Sequence, residues 1–376
     1  MAVVLTAAMP AAAAPYMIVG MDQKLTWDDR GDKVLTASGH DLVAIVDLAK
    51  PEAPRVIATL PLENSIGGPP VNVAISPDDR LALVADSYTN VPKGSGFDQV
   101  PTNKLFVIDL TGGRPRVVQT LTVGSQPSGL SINRAGTLAL VAYRDGHAVG
   151  VFRIARGRLR EIGRVPLEGD ISHVVFTPDG RHALAVHHDT NKVSVLDVAG
   201  EKVSLSGIQI PATEGVYNID VSPDGRLAMT GDARFSTVIE LSARPSRAIG
   251  KVAIPVGGEG LAISPRGDLA AIASLRGSNG PHNAPWFQKT GAVTIVRIAG
   301  TTVTPVKTIE VGRVPEAIGF SPDGRYLYVG DFLDNDFRIL RVNGTDVVDT
   351  GKRLMLPGRP ASARITPGPQ PMRASK

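Results

Sequence analysis

The chain of 376 residues contains no cysteine. That absence excludes a disulfide framework, a thiol nucleophile, thiolate-ligated zinc, iron–sulfur clusters and thioether-linked haem. Charge of one sign is also lacking, because 40 basic against 36 acidic residues leave only +4. So dilute a charge does not by itself imply a nucleic-acid partner. The one basic cluster, Arg153, Arg156, Arg158, Arg160 and Arg164, has only Phe152 among it, without the interleaved aromatics of a base-stacking surface. No apolar run reaches the roughly 18 residues of a membrane helix, so no membrane span is expected. A glycine-rich phosphate loop, a GxSxG elbow and an HExxH helix are all missing. What is abundant is punctuation: 40 glycines and 29 prolines divide the chain into short segments that long helices would not tolerate. With 43% hydrophobic and 20% charged residues, the composition is that of a globular all-β protein rather than a disordered chain.

Residues 2–14, AVVLTAAMPAAAA, are uncharged and end in small residues, as do the apolar core and cleavage region of a secretory signal, although no Lys or Arg precedes them. The stretch is too short to span a bilayer. It predicts a signal peptide over 1–14 and a periplasmic or secreted mature protein, a compartment compatible with the lack of cysteine.

Self-similarity dominates the remainder. FSPDGRYLYVGD (320–331) is echoed by VSPDGRLAMTGD (221–232), FTPDGRHALAVH (176–187), ISPDDRLALVAD (75–86), ISPRGDLAAIAS (263–274) and INRAGTLALVAY (132–143). A seventh copy begins at Ile365. With Pro77, Arg134, Pro178, Pro223, Pro265, Pro322 and Pro367 as anchors, the spacings are 57, 44, 45, 42, 57 and 45 residues. A unit of about 45 residues is the period of a four-stranded propeller blade, and two units carry an insertion of roughly a dozen. Within each unit an apolar run enters Ser/Thr-Pro-Asp-Gly, a turn in which Pro presets φ, Asp bonds its own backbone and Gly accepts positive φ. Alternating strands follow, such as Tyr326–Val329, Val193–Asp197 and Val117–Leu121. Asp47, Asp109 and Asp197 recur at the ends of third strands and read as turn stabilisers.

At the ends, Tyr16–Gly20 resembles the second strand Tyr326–Gly330, and Pro360–Ile365 resembles the first strands. One blade is therefore expected to take three strands from the N-terminus and its innermost strand from the C-terminus, which leaves no open edge. The expected fold is a seven-bladed β-propeller of four-stranded blades over residues 15–367, followed by a basic, proline-rich tail at 368–376.

The run Ser321–Asp331, with the aliphatic-Asp endings Ala44–Asp47, Val107–Asp109 and Val195–Asp197, resembles the YVTN-type repeats of YncE-like and lactonase-like seven-bladed propellers. The likeness covers essentially the whole mature chain and implies the fold. It implies function less directly, because these are turn and core positions that every blade needs. The lactonase branch would lead one to expect Pro-x-His before a first strand. Here His173 is kept, while Ile171 and Ser172 precede it, and Asn218 and Asp232 stand where a second His and a Glu are usual.

Because propellers place the first-to-second turns on one face and the second-to-third loops on the other, the Ser-Pro-Asp-Gly turns mark the bottom. The second-to-third segments 22–41, 87–103 and 275–291 are long, and three long loops on one face predict that the top binds ligand. Five residues before each anchor, the channel mouth is expected to present Asn72, His173 and Asn218, with Tyr217, Glu259 and Glu316 one place earlier. Second-strand ends add Asp86, His187, Asp232 and Asp331. Arg144 and Arg276 are candidate oxyanion donors, and Trp286 is an aromatic candidate for a sugar or peptide. Tyr217 apart, these twelve side chains predict a site for a small polar molecule, a peptide or a partner protein. The first expectation is a monomeric binding protein with no metal or cofactor; the alternative is a lactonase-like hydrolase with His173 as base and Glu259 or Glu316 assisting.

Overall fold

The computed structural model describes residues 15–65, 67 and 70–367. The expected signal segment, 1–14, and the expected tail, 368–376, lie outside them. Seven four-stranded antiparallel sheets follow one another around an axis, each taking four strands in order from the inside outward. Blade 1 consists of Pro360–Ile365, Tyr16–Met21, Leu42–Asp47 and Arg55–Pro61. Its inner pair runs in register from Met17 opposite Ile365 to Gly20 opposite Ser362. The inner strands of blades 2 to 7 are Val73–Ile75, Pro127–Ile132, Ile171–Phe176, Asn218–Val221, Gly258–Ile263 and Pro315–Phe320.

Second strands such as Leu138–Tyr143 and Leu269–Ser274 are near-continuous apolar runs buried on both faces, so the core lies between blades rather than within one. Leu83, Leu105, Val141 and Phe152 fill the space between blades 2 and 3, and Leu269, Ile295, Leu327 and Leu340 that between blades 6 and 7. Burying one such side chain stabilises the fold by about 1.5–3 kcal/mol, so interblade packing is the main source of stability.

The bottom turns are closed circuits of hydrogen bonds. In blade 7, Ser321 Oγ donates to Asp323 Oδ1 at 2.6 Å and accepts the Tyr326 N–H at 3.0 Å, while the Arg325 N–H donates to Asp323 Oδ1 at 3.0 Å. Gly324 takes φ +68°, as this turn demands. The same Ser/Thr-to-Asp bond recurs at Ser76–Asp78, Thr177–Asp179 and Ser222–Asp224. Asp47 and Asp109 do stabilise turns, accepting the backbone N–H groups of Ala49 at 2.8 Å and Thr111 at 2.9 Å.

Two segments expected as loops are not loops throughout. Residues 87–103 continue the ladder of blade 2, whose strands Leu81–Lys93 and Gly96–Asp109 form a long hairpin projecting from the top. Its polar, proline-containing sequence conceals the strands because the ladder is held by backbone pairing, not by a buried face. The segment 22–41 contains a small hairpin, Leu25–Trp27 with Lys33–Leu35. Only 275–291 is irregular from end to end.

Candidate active site at the top mouth

The three insertions meet over the top of the channel. The first leans on the long hairpin, where the Ser38 hydroxyl contacts Thr89 Oγ1 at 2.9 Å and accepts the Asn90 N–H at 2.8 Å. It reaches the third insertion, where the His282 N–H donates to the Asp29 carbonyl at 2.9 Å. Leu25, Trp27 and Leu35 pack with Leu275, Val314 and Phe332 into an apolar cluster of their own, with Trp27 edge-on to Phe332 at 5.8 Å. The base of the first insertion is pinned by Lys24, wholly buried, which donates to the Asp41 carboxylate and the Asn64 carbonyl. Burial works against this ammonium, but Asp22, Asp41 and Asp86 outweigh it and hold its pKa above the ordinary lysine value.

Beneath this cap lies a cavity of about 360 Å³, at the low end of ligand pockets, which run from roughly 300 to 1,000 Å³. Tyr217, Glu259, Glu316 and Arg144 line it, with Trp27, Lys33, Tyr88, Gln99 and Asn279 coming from the insertions. Tyr217, Glu259 and Glu316 occupy one repeat position, six residues before the anchors of blades 5, 6 and 7. The other blades carry Ala361, Val71, Ser128 and Ser172 there. The inner strands of blades 6 and 7 are irregular at this point: pairing jumps from Gly258 to Leu261 and from Pro315 to Ala317. A bulge leaves its extra residue outside the ladder and re-aims its side chain. Gly260 permits the close approach of the two strands, since a Cβ there would stand 2.2 Å from the Glu316 carbonyl oxygen.

Glu316 is almost fully buried, and Glu259 touches the cavity but is otherwise surrounded by protein. Burial pushes the Glu259 carboxyl up to about 8, with Arg144 and Lys33 pulling the other way. Burial and the neighbouring Glu259 charge push Glu316 well above the usual carboxyl range. Both carboxyls are therefore held protonated near neutral pH, and ionising one makes ionising the other harder. Arg144 is clamped: Nε and Nη2 donate to the Asp170 carboxylate at 2.7 and 2.5 Å, and Nη1 donates to the Gly67 carbonyl at 2.8 Å. Although burial disfavours its charge, the Asp170 hydrogen bonds keep the guanidinium firmly protonated. It lies over the Tyr217 ring, 5.7 Å from the centroid, and burial pushes that phenol up.

Of the twelve side chains read from the sequence, the cavity brings together Arg144, Glu259 and Glu316. The other nine lie elsewhere. His173 is buried in the channel wall, its Nδ1 accepting the Ile219 N–H at 3.3 Å, and burial lowers its pKa well below the ordinary value. His187 is held on both nitrogens, by the Glu168 carbonyl at 2.7 Å and Ser194 Oγ at 2.8 Å. Asn72 donates to the Ala85 carbonyl at 2.9 Å, and Asn218 donates to the Glu259 carbonyl, so both stitch strands together. Asp232 accepts from Thr213 and from Thr237, the latter at 2.8 Å, and Asp331 accepts from Arg338 at 2.7 Å. Asp86 is buried near Lys24, and desolvation pushes it up to about 7. Arg276 pairs with Glu310 at 3.0 Å on the rim. Trp286 is 56% exposed and lies against Gly277 and Gly280 on the outside of its loop. Among the described residues no group of three or more His, Asp or Glu side chains is arranged to hold a metal ion.

Sequence reasoning did not assign Lys33, Gln99, Asn279 or the clamp residue Asp170 to the site. No local pattern marks them; only the folding of the insertions over the mouth brings them in.

No protein-family model matches the chain. A segment of 86 residues is 38% identical to the antigen Lp49 of Leptospira interrogans, covering 22% of this chain and 18% of that protein's length. Among solved structures, a 6-phosphogluconolactonase candidate from Bacteroides uniformis superposes with a TM-score of 0.73 at 15% identity, covering 94% of this chain and 99% of the other. The periplasmic gluconolactonase of Pseudomonas aeruginosa superposes with a TM-score of 0.71 at 17% identity, covering 95% and 100%. The likeness is one of fold. At these identities the shared seven-bladed scaffold does not carry residue roles from one protein to another.

Proposed function

We propose that the protein hydrolyses an uncharged sugar-type lactone in the top cavity, with Glu259 and Glu316 as the acid–base pair. The observation that carries this reading is the meeting of two buried carboxyls with a clamped guanidinium in one small capped cavity. The lactonase names borne by structural neighbours agree with it. A protein that only bound its ligand would have no need of a carboxyl pair with raised pKa values.

In the ionised form of the pair, Glu259 as carboxylate takes a proton from water as the water oxygen bonds to the lactone carbonyl carbon. Arg144, with the Tyr217 hydroxyl beside it, donates hydrogen bonds to the oxyanion that forms. As the tetrahedral centre collapses, the bond from the carbonyl carbon to the ring oxygen breaks, and the Glu316 carboxyl gives its proton to the departing alkoxide. The product is the open hydroxy acid, and a proton passing from Glu259 to Glu316 restores the pair. We assign the base to Glu259 rather than His173 because the imidazole does not line the cavity. An uncharged substrate fits better than a phosphorylated one: Arg144 is already neutralised by Asp170, so a phosphate dianion would face two carboxyls with only Lys33 to oppose them.

The test is to follow acid release from glucono-δ-lactone and from its 6-phosphate above the spontaneous rate. Enzyme-dependent opening that is faster for the neutral lactone, and at least about 100-fold lower in Glu316→Gln, supports the assignment. Opening that is indifferent to Glu259→Gln and Glu316→Gln contradicts it.

A further inference from the structure

A cavity larger than the one under the cap, about 1550 Å³, lies at the other end of the channel, behind the bottom turns. Its wall is a belt to which every blade contributes the apolar residue two places before its anchor, among them Ile75, Ile132, Phe176 and Phe320. One place further from the anchor the blades carry Ala74, Ser131, Val175, Ala262 and Gly319, and in two cases a charge, Asp220 in blade 5 and Arg364 in blade 1. Ala262 and Gly319 belong to blades 6 and 7, which lie between those two, and both line the cavity. A Cβ on Gly319 would come within 2.6 Å of the Ile365 side chain, so glycine there lets the apolar belt of blade 1 pack against blade 7.

The charges are not used alike. Both oxygens of Asp220 accept backbone N–H groups, from Ile263 at 2.8 Å and Val221 at 2.9 Å. Among the described residues the guanidinium of Arg364 donates no hydrogen bond, and the side chain is partly exposed where it borders the cavity. Desolvation weakens its hold on its proton, and the field of Asp220 only partly offsets this. A guanidinium without a protein partner keeps its N–H donors available to a ligand that enters the cavity. A planar fork of unused N–H groups in an apolar chamber is the complement of a carboxylate on an apolar body.

We propose that this bottom chamber binds a small organic monocarboxylate, with the carboxylate on Arg364 and the apolar body against the belt. A second negative charge on the ligand would be repelled by Asp220, which favours a monoanion over phosphate. This site is separate from the lactone pocket and does not depend on its chemistry.

The test is calorimetric titration of the full chain with phenylacetate and octanoate, with phenylacetamide and inorganic phosphate as comparators. The carboxylates should bind saturably, at least tenfold more tightly than phenylacetamide and more tightly than phosphate. Arg364→Met should lose at least tenfold in carboxylate affinity, and Glu316→Gln in the top cavity should change nothing. Because Arg364→Met leaves Asp220 without its cation, the double variant Arg364→Met/Asp220→Asn should show the same loss with the wild-type melting temperature. Equal binding of phenylacetamide and phenylacetate, no saturable binding of either carboxylate, or affinity that follows Glu316 and ignores Arg364 would each overturn the proposal.

Discussion

The two mouths of one channel are built from the same repeat, yet they differ in what has been done to it. At the bottom the repeat is kept: turn after turn closes the same Ser/Thr–Asp circuit, and the rim is satisfied by its own hydrogen bonds. At the top it is broken, by insertions in blades 1, 2 and 6 and by the acidic residues Glu259 and Glu316 at an inner-strand bulge that blades 3 and 4 share. In a ring of nearly identical units, chemistry is found where one unit departs from the others at a shared position. Tyr217, Glu259 and Glu316 are such departures at the top, and Asp220 and Arg364 are such departures within the bottom chamber.

The contrast is sharpened first by exchanging charge for amide at the top. Glu259→Gln or Glu316→Gln should reduce lactone turnover by roughly 10²- to 10⁴-fold, the range for loss of an acid–base group, with the melting temperature maintained. Unchanged kcat in both variants would erase the distinction between the mouths. Removing the clamped donor comes next: Arg144→Met should cost about 10²- to 10³-fold in kcat. Asp170→Asn should cost less, because the guanidinium stays in place with a weaker anchor. Steady-state kinetics on purified variants decides the order.

A third effect concerns pH and stability. The folded pKa of Glu259 stands at about 8, above its unfolded value near 4.5, so the folded protein holds this proton more tightly. The resulting stability is fully present below the unfolded value and is lost as pH rises through the folded one. Melting temperature should therefore decline between about pH 5 and pH 8, and Glu259→Gln should flatten that decline. A variant whose profile matches the wild type over this interval would show that the carboxyl is not held neutral. The smallest effect belongs to the bottom rim, where Asp323→Ala opens one turn circuit. About 1 kcal/mol of stability should be lost, seen as a shift in denaturant midpoint, with lactone turnover unaltered.

The anchors at Pro77, Pro178, Pro223, Pro265, Pro322 and Pro367 made the blade count legible in the sequence, because turn chemistry is local and repeats. The hairpin over 81–109 was less legible: its outer half is polar on both faces, so no alternation marks it. Glu259 and Glu316 could be found by counting back from the anchors. Which polar strand ends face the cavity could not, since Asp232, Asp331 and His187 are the same residue types as the true lining but are consumed by bonds within their own blades. That distinction depends on partners distant in sequence. The clamp of Arg144 by Asp170 and the Gly67 carbonyl is of the same kind, joining three segments that share no motif.

The central claim is that burial keeps both Glu259 and Glu316 protonated at neutral pH, with Glu259 the first to ionise as pH rises, and carboxyl-carbon NMR titration of the wild-type protein, assigned with the two Glu→Gln variants, measures it directly. The account predicts that Glu259 titrates at about 8, that Glu316 lies well above the usual carboxyl range, and that removing either carboxyl lowers the pKa of the other. Two carboxyls that both ionise near the ordinary value of 4.5, each indifferent to loss of its neighbour, would contradict it.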